Sequence, residues 1–148
     1  KVRLPLPEVV QEPASIAPTA PLRFDGRRVL LVDDNRVNVL VSSYALRKFG
    51  CDVVCVEDGR KALDTFAKSH FDLVLMDVRM PIMNGLEATR EIRRREAGGP
   101  RTPVVALTAG ALLQEQQECY EAGMDDFATK PVAADSIRDV LARWLTVA

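Results

Sequence analysis

The chain has no apolar run approaching the roughly 20 residues that a membrane-spanning helix requires, and its start lacks a signal-peptide pattern. Cysteine is scarce: Cys51, Cys55 and Cys119 form no metal-like cluster, and an odd number argues against a disulfide framework. Cys51 and Cys55 lie four apart on an expected strand, about 13 Å at strand rise, which is beyond disulfide reach. We expect reduced, structural thiols in a cytosolic setting. Charge of neither sign is in excess, since 28% of residues are charged and the net charge is -1. That balance gives neither the basic footprint of a nucleic-acid binder nor an acidic tail. No glycine-rich phosphate loop follows the first expected strand, which disfavours a flavodoxin-like cofactor binder. The lone histidine, His70, falls between a helix and a strand and reads as a boundary residue.

At 148 residues, 47% of them hydrophobic, the chain suits one domain with a real core. It opens on lysine rather than methionine, so a piece of a longer protein is expected. Residues 1–25 carry Pro5, Pro7, Pro13, Pro18 and Pro21, which is linker composition. Within them KVRLPLP alternates like an edge strand of a preceding domain. The globular part is expected from Gly26, giving a domain over 26–148.

Hydrophobic patterning then alternates strand with helix. RVLLV (28–32), CDVVCVED (51–58), LVLM (73–76), PVVAL (103–107) and a short DDFAT (125–129) read as strands. The first helix is capped by Asn35 and stopped by Gly50. Its face Val37, Leu40, Val41, Tyr44 is expected to look inward. A second helix, 59–69, brings in Leu63, Phe66 and Ala67, and a third offers Leu86, Ala88, Thr89 and Ile92. The fourth, about 111–122, is polar and should be loosely held. The last repeats Ile137, Val140, Leu141, Trp144 and Leu145 as a core stripe. Five strands alternating with five helices imply an α/β fold, a doubly wound parallel sheet with helices on both faces.

Buried strands here end in polar groups. The first ends at Asp33 and Asp34, the third at Asp77, the fourth at Thr108, and the fifth delivers Lys130 before Pro131. In such sheets ligands collect beyond the carboxyl ends of the strands. Carboxylates gathered there repel, by about 4 kcal/mol for a pair at about 4 Å and an effective dielectric of about 20, so a cation is expected among them. Hard oxygen ligands suit Mg²⁺. A carboxylate nucleophile, a divalent ion, an amine and a hydroxyl are the parts that phosphoryl transfer needs.

VLLVDDNRVN, LVLMDVRMPIMNGLEATR, VVALTA and AGMDDFATKP resemble the signature segments of receiver domains of two-component signalling, in particular those attached to hybrid sensor histidine kinases. The resemblance spans about residues 27 to 146. It implies the flavodoxin-like strand order 2-1-3-4-5, with Asp77 as phosphoryl acceptor. It further implies Asp34 as a direct Mg²⁺ ligand, Asp33 acting through water, and the Arg79 carbonyl as a further ligand. Thr108 and Phe127 are then switch residues, and Lys130 pairs with Asp77 or its phosphate. The Arg79 side chain lies outside this shared machinery, and we expect it to tune phosphate lifetime. Implied partners are a histidine kinase phosphodonor domain and a histidine phosphotransfer domain, with no nucleic acid and no membrane contact by this stretch. A cytoplasmic location follows, with a parent chain that can be anchored in the inner membrane. Such a domain catalyses only its own aspartyl phosphorylation and dephosphorylation. This stretch lacks the glycine box and helical histidine of a kinase.

Two rivals remain. A haloacid-dehalogenase-type hydrolase requires an acid two residues after its nucleophile, whereas Asp33 and Asp34 are adjacent and Asp77 is followed by VRMP. A pseudo-receiver that binds without phosphate, or a stand-alone response regulator, keeps the same fold. For docking, Val39, Ser43 and Leu46 form a line on the first helix that is expected to face a partner helix.

Overall fold

The computed structural model describes residues 24–145 apart from 81, 97, 110–112 and 131–133. The order is β1 Arg28–Val32, α1 Arg36–Lys48, β2 Asp52–Val56, α2 Gly59–Lys68, β3 Leu73–Asp77, α3 Gly85–Glu96, β4 Val104–Thr108, α4 Leu113–Ala122, β5 Asp126–Thr129 and α5 Ala134–Leu145. All strand pairs are parallel, in the order β2-β1-β3-β4-β5.

The central strands explain the continuous apolar runs. Every residue of β3 and of β4 is buried, because helices cover both faces of a parallel sheet and alternate side chains serve opposite sides. Val29, Leu31, Leu73, Leu75, Val105 and Leu107 meet Ala45 and Leu46 of α1 and Ile137, Val140, Leu141 and Leu145 of α5. On the other face Leu30, Val32, Val74, Met76 and Ala106 meet Leu63 of α2, Ile92 of α3 and Cys119 of α4. The expected stripe on α5 is therefore its buried face. Trp144 sits at its edge, half-buried, its indole N–H donating to Asp126 at 3.1 Å.

The ends of α1 follow their residues. Asn35 Oδ1 accepts from the backbone N–H groups of Val37 and Asn38 at 2.9 and 3.2 Å, satisfying two of the helix's orphan donors. Gly50, at φ 93, takes the left-handed turn after the helix. The N–H groups of Gly50 and Cys51 donate to the carbonyls of Arg47 and Leu46, which is the Schellman closure.

The rotation of α1 corrects two sequence expectations. Ser42, Ser43, Ala45 and Leu46 are its buried residues, and Val39 packs against the same core. Ser43 and Leu46, expected at a partner surface, thus face the sheet. Val37, Leu40, Val41 and Tyr44 are exposed, at 67%, 69%, 48% and 66%. The apolar arc alone points the wrong way because small residues let a helix lie close to the strands, a packing gain that hydropathy does not count. The Ser43 hydroxyl donates to the Leu40 carbonyl at 3.3 Å and so enters the core with a partner.

Two smaller corrections concern α2 and the domain edge. Ala67 is exposed, and Ala62 takes the inward place beside Leu63. The globular part begins before Gly26: Phe24 is buried, stacks edge-on against Phe49 at 6.3 Å, and donates its N–H to the Phe49 carbonyl at 2.6 Å. The KVRLPLP strand reading lies outside the described residues. In α4 only Cys119 and Ala122 are buried, which agrees with its polar sequence.

Candidate functional site

Register alone gathers most of the site. Val32 of β1 pairs with Met76 of β3, so Asp33 and Asp77, each one residue further, leave adjacent strands side by side. Asp77 in turn pairs with Leu107, placing Thr108 one step beyond it, and Thr108 pairs with Thr129, placing Lys130 after it. The chain runs from β1 out to β2 and then returns to β3 on the other side, so the crevice between β1 and β3 is a topological switch point.

Asp33, Asp34 and Asp77 each offer a carboxylate oxygen within 4.8 Å of the others. Asp33 and Asp77 are buried, at 2% and 1% exposure, while Asp34 is exposed. The Lys130 ammonium donates to Asp77 Oδ1 at 3.0 Å and the Arg79 N–H donates to the same oxygen at 3.2 Å. Asp33 Oδ1 accepts from the Asn35 N–H at 2.9 Å. The other oxygens, Asp33 Oδ2 and Asp77 Oδ2, are buried with no hydrogen-bond partner. At about 5 Å and an effective dielectric of about 20, each carboxylate pair repels by about 3 kcal/mol, and one lysine cannot neutralise three acids. Three clustered carboxylates, two of them with a buried oxygen that has no partner, are the donor set a hard divalent cation takes, so the residues fit Mg²⁺.

Burial pushes the Asp77 carboxyl up to about 6; the Lys130 hydrogen bond opposes this, and the Asp33 charge adds to it. Thr108 is buried at the end of β4, and its carbonyl accepts from the Lys130 N–H at 2.6 Å. Phe127 is half-buried on β5, 6.4 Å edge-on from Tyr120. The structure therefore brings Asp33, Asp34, Asp77, Thr108 and Lys130 to one end of the sheet and leaves Phe127 on the flank beside α4. The guanidinium of Arg79 points outward to Glu115 of α4, at 3.0 Å.

The sequence reading missed the supports around these groups. Gly85 opens α3 with its N–H on the Val78 carbonyl at 3.0 Å. A Cβ there would lie 2.1 Å from the Asp77 carbonyl oxygen, so only glycine lets α3 approach the acceptor strand this closely. Asn84 and Glu87 cap α3 reciprocally, at 2.9 and 3.1 Å. The glycine and the capping pair explain physically why the segment reads NGLE. Ile82 holds φ 69 and is 82% exposed, an uncommon conformation for a β-branched residue. Together with Leu40, Val56, Asp33 and Asp34 it lines a hollow of about 600 Å³ beside the acids.

Residues 29–142 match the family described as the response regulator receiver domain. The chain is 42% identical over 137 residues to the sensor protein GacS of Pseudomonas syringae pv. syringae, covering 91% of this chain and 15% of that one. It is 39% identical over 139 residues to histidine kinase 3 of Arabidopsis thaliana, covering 80% and 13%. It thus spans about one seventh of the length of these relatives. Among solved structures, a sensor histidine kinase receiver domain from Pseudomonas aeruginosa, with magnesium coordinated in its active-site cleft, is 40% identical with a TM-score of 0.75, covering 82% of this chain and 99% of that one. The Saccharomyces cerevisiae Ssk1 receiver domain, co-crystallised with the histidine phosphotransfer protein Ypd1, gives 27% and 0.76, covering 82% and 90%.

Proposed function

Since the chain belongs to the response regulator receiver domain family, with relatives in hybrid sensor histidine kinases, we propose that it takes a phosphoryl group from a phosphohistidine onto Asp77. The observation that carries this reading is the pair of buried, unpartnered carboxylate oxygens, Asp33 Oδ2 and Asp77 Oδ2, beside the Lys130 ammonium that donates to the other Asp77 oxygen at 3.0 Å. Asp77 is the nucleophile: a carboxylate oxygen bonds to phosphorus, the phosphorus–nitrogen bond breaks, and the imidazole leaves with its electron pair. Asp33, Asp34, Asp77 and the Arg79 carbonyl would hold Mg²⁺, which would offset charge on the acids and on the transferring oxygens. Lys130 takes a phosphoryl oxygen with its ammonium, and the Thr108 hydroxyl another. Burial of Asp77 limits access by bulk water and strengthens each of these contacts.

Downstream, the group passes to a histidine phosphotransfer domain or is hydrolysed. Movement of Thr108 toward the phosphoryl group opens room for Phe127 and shifts α4, as a two-state repacking. The docking surface is the exposed face of α1, Val37, Leu40, Val41 and Tyr44, with Ile82 across the hollow. It adjoins the acids, and a partner helix can cover it while presenting an imidazole to Asp77. Of the Val39, Ser43, Leu46 line this surface keeps Val39, which lines the same hollow, and gives up the buried Ser43 and Leu46. No helix among the described residues is long and apolar enough to cross a membrane.

Incubation with acetyl phosphate and Mg²⁺ tests the reading. A mass gain of about 80 Da, the mass added by phosphorylation, is expected on the wild type and absent from Asp77→Asn and from EDTA-treated samples. A wild type that stays unmodified overturns it.

A further inference from the structure

The ion pair between Arg79 and Glu115 joins the acceptor loop to α4. Arg79 lies two residues beyond Asp77 and its own N–H donates to Asp77 Oδ1. Its side chain is 78% exposed, whereas the Glu115 side chain it contacts is only 12% exposed. Glu115 has therefore lost most of its water and relies on Arg79 for compensation. The two line a hollow of about 370 Å³ together with Val78, Met80, Leu86 and Glu118.

The two halves of α4 are held differently. Its buried residues, Cys119 and Ala122, are in the second half. Just beyond them the Gly123 carbonyl accepts from Arg93 and Arg101 at 2.8 and 3.1 Å, and Arg93 also grips Asp125 at 2.6 Å. In the first half Leu113 is 78% exposed. Among the described residues, Arg79–Glu115 is the only side-chain polar tie from that half to the rest of the domain. The helix is thus hinged at its end and latched near its start.

We propose that Glu115 is a positioning residue that holds Arg79 away from Asp77 in the resting domain, and that a phosphoryl group on Asp77 competes for Arg79 and unlatches α4. The proposal rests on the phosphoacceptor reading. A phosphoryl group brings about two negative charges and three acceptor oxygens to within two residues of Arg79, against the single charge of Glu115. Exchange of the guanidinium between them couples occupancy of the acceptor to the packing of α4 and prolongs the phosphorylated state.

Two readouts test it, on Arg79→Gln, Glu115→Gln and the double variant. Without phosphate, both single variants should speed hydrogen exchange at the Gln117 and Glu118 amides about fivefold, the size of one partly exposed ion pair. The double variant should add nothing further, and β3 amides should not change. After labelling with acetyl phosphate, Glu115→Gln should lengthen the life of the phosphorylated form several-fold. Arg79→Gln should shorten it, and Glu115→Gln should have no effect in the Arg79→Gln background. Unchanged exchange in both single variants overturns the latch. A Glu115 effect on lifetime that persists without Arg79 overturns the partner exchange while leaving the phosphoacceptor reading intact. A wild type that takes no phosphoryl group removes that reading and the exchange with it, while hydrogen exchange still decides the latch.

Discussion

Asp77→Asn should make the metal-free domain more stable at neutral pH, although it removes the residue on which function depends. The Asp77 carboxyl titrates at about 6 in the folded chain against an ordinary value of 3.8, chiefly because burial disfavours its charge. Between those values the folded state binds a proton that the unfolded state has lost, so the contribution of Asp77 to stability is fully present below pH 4 and is lost as pH rises through 6. A difference of roughly two units amounts to about 3 kcal/mol above pH 6 at about 1.4 kcal/mol per unit. Asparagine cannot ionise, so it escapes that cost, and the attraction of Lys130 for the charged form is already contained in the shifted value. The net gain expected at pH 7.5 in EDTA is about 3 kcal/mol, or roughly 12 °C in Tm for a domain of this size. At pH 4.5, where the wild-type carboxyl is mostly protonated when folded, the gap should close by about 2 kcal/mol. Excess Mg²⁺ should stabilise the wild type more than the variant. Urea titrations at the two pH values provide the assay. A variant no more stable than wild type at pH 7.5, or a gap independent of pH, would refute the argument that Asp77 is a desolvated anion awaiting a cation.

Other substitutions probe the scaffold. Gly85→Ala should cost at least about 2 kcal/mol in urea unfolding, because its Cβ meets backbone 2.1 Å away that has no rotamer to yield. Ile82→Gly should raise stability by about 0.5–1 kcal/mol by relieving φ 69, and a drop in the urea midpoint would contradict the strain. Leu46→Ala should cost about 2–5 kcal/mol as a core truncation, whereas Leu40→Ala should fall within about 0.5 kcal/mol; equal effects would reverse the orientation of α1. Arg93→Met should cost about 2–4 kcal/mol, since Glu96 and Asp125, 10% and 14% exposed, lose a shared cation. A neutral result by thermal melting would show that network to be surface decoration.

Strand and helix order, the doubly wound sheet and the cluster of acidic, hydroxyl and amine groups were legible in the linear sequence. Four apolar runs bounded by polar ends allow little else once both faces of the sheet must be covered. Asn35 and Gly50 were legible because caps act over a few residues. The face of α1 was not. Val37, Leu40, Val41 and Tyr44 make the more apolar arc, yet Ser42, Ser43, Ala45 and Leu46 face the sheet, because close approach of helix to strand is settled by side-chain size across a contact that periodicity does not describe. Phe24 was read as linker for a related reason, as its partner Phe49 is far along the chain.

The sequence by itself determined which groups stand at the strand ends. Only the tertiary structure decided how they meet: strand register sets Asp33 beside Asp77, burial leaves one oxygen of each without a partner, and Glu115 reaches Arg79 across 36 residues. Local chemistry is written residue by residue. Proximity between distant residues is set by how the whole core packs, and no segment carries that information alone.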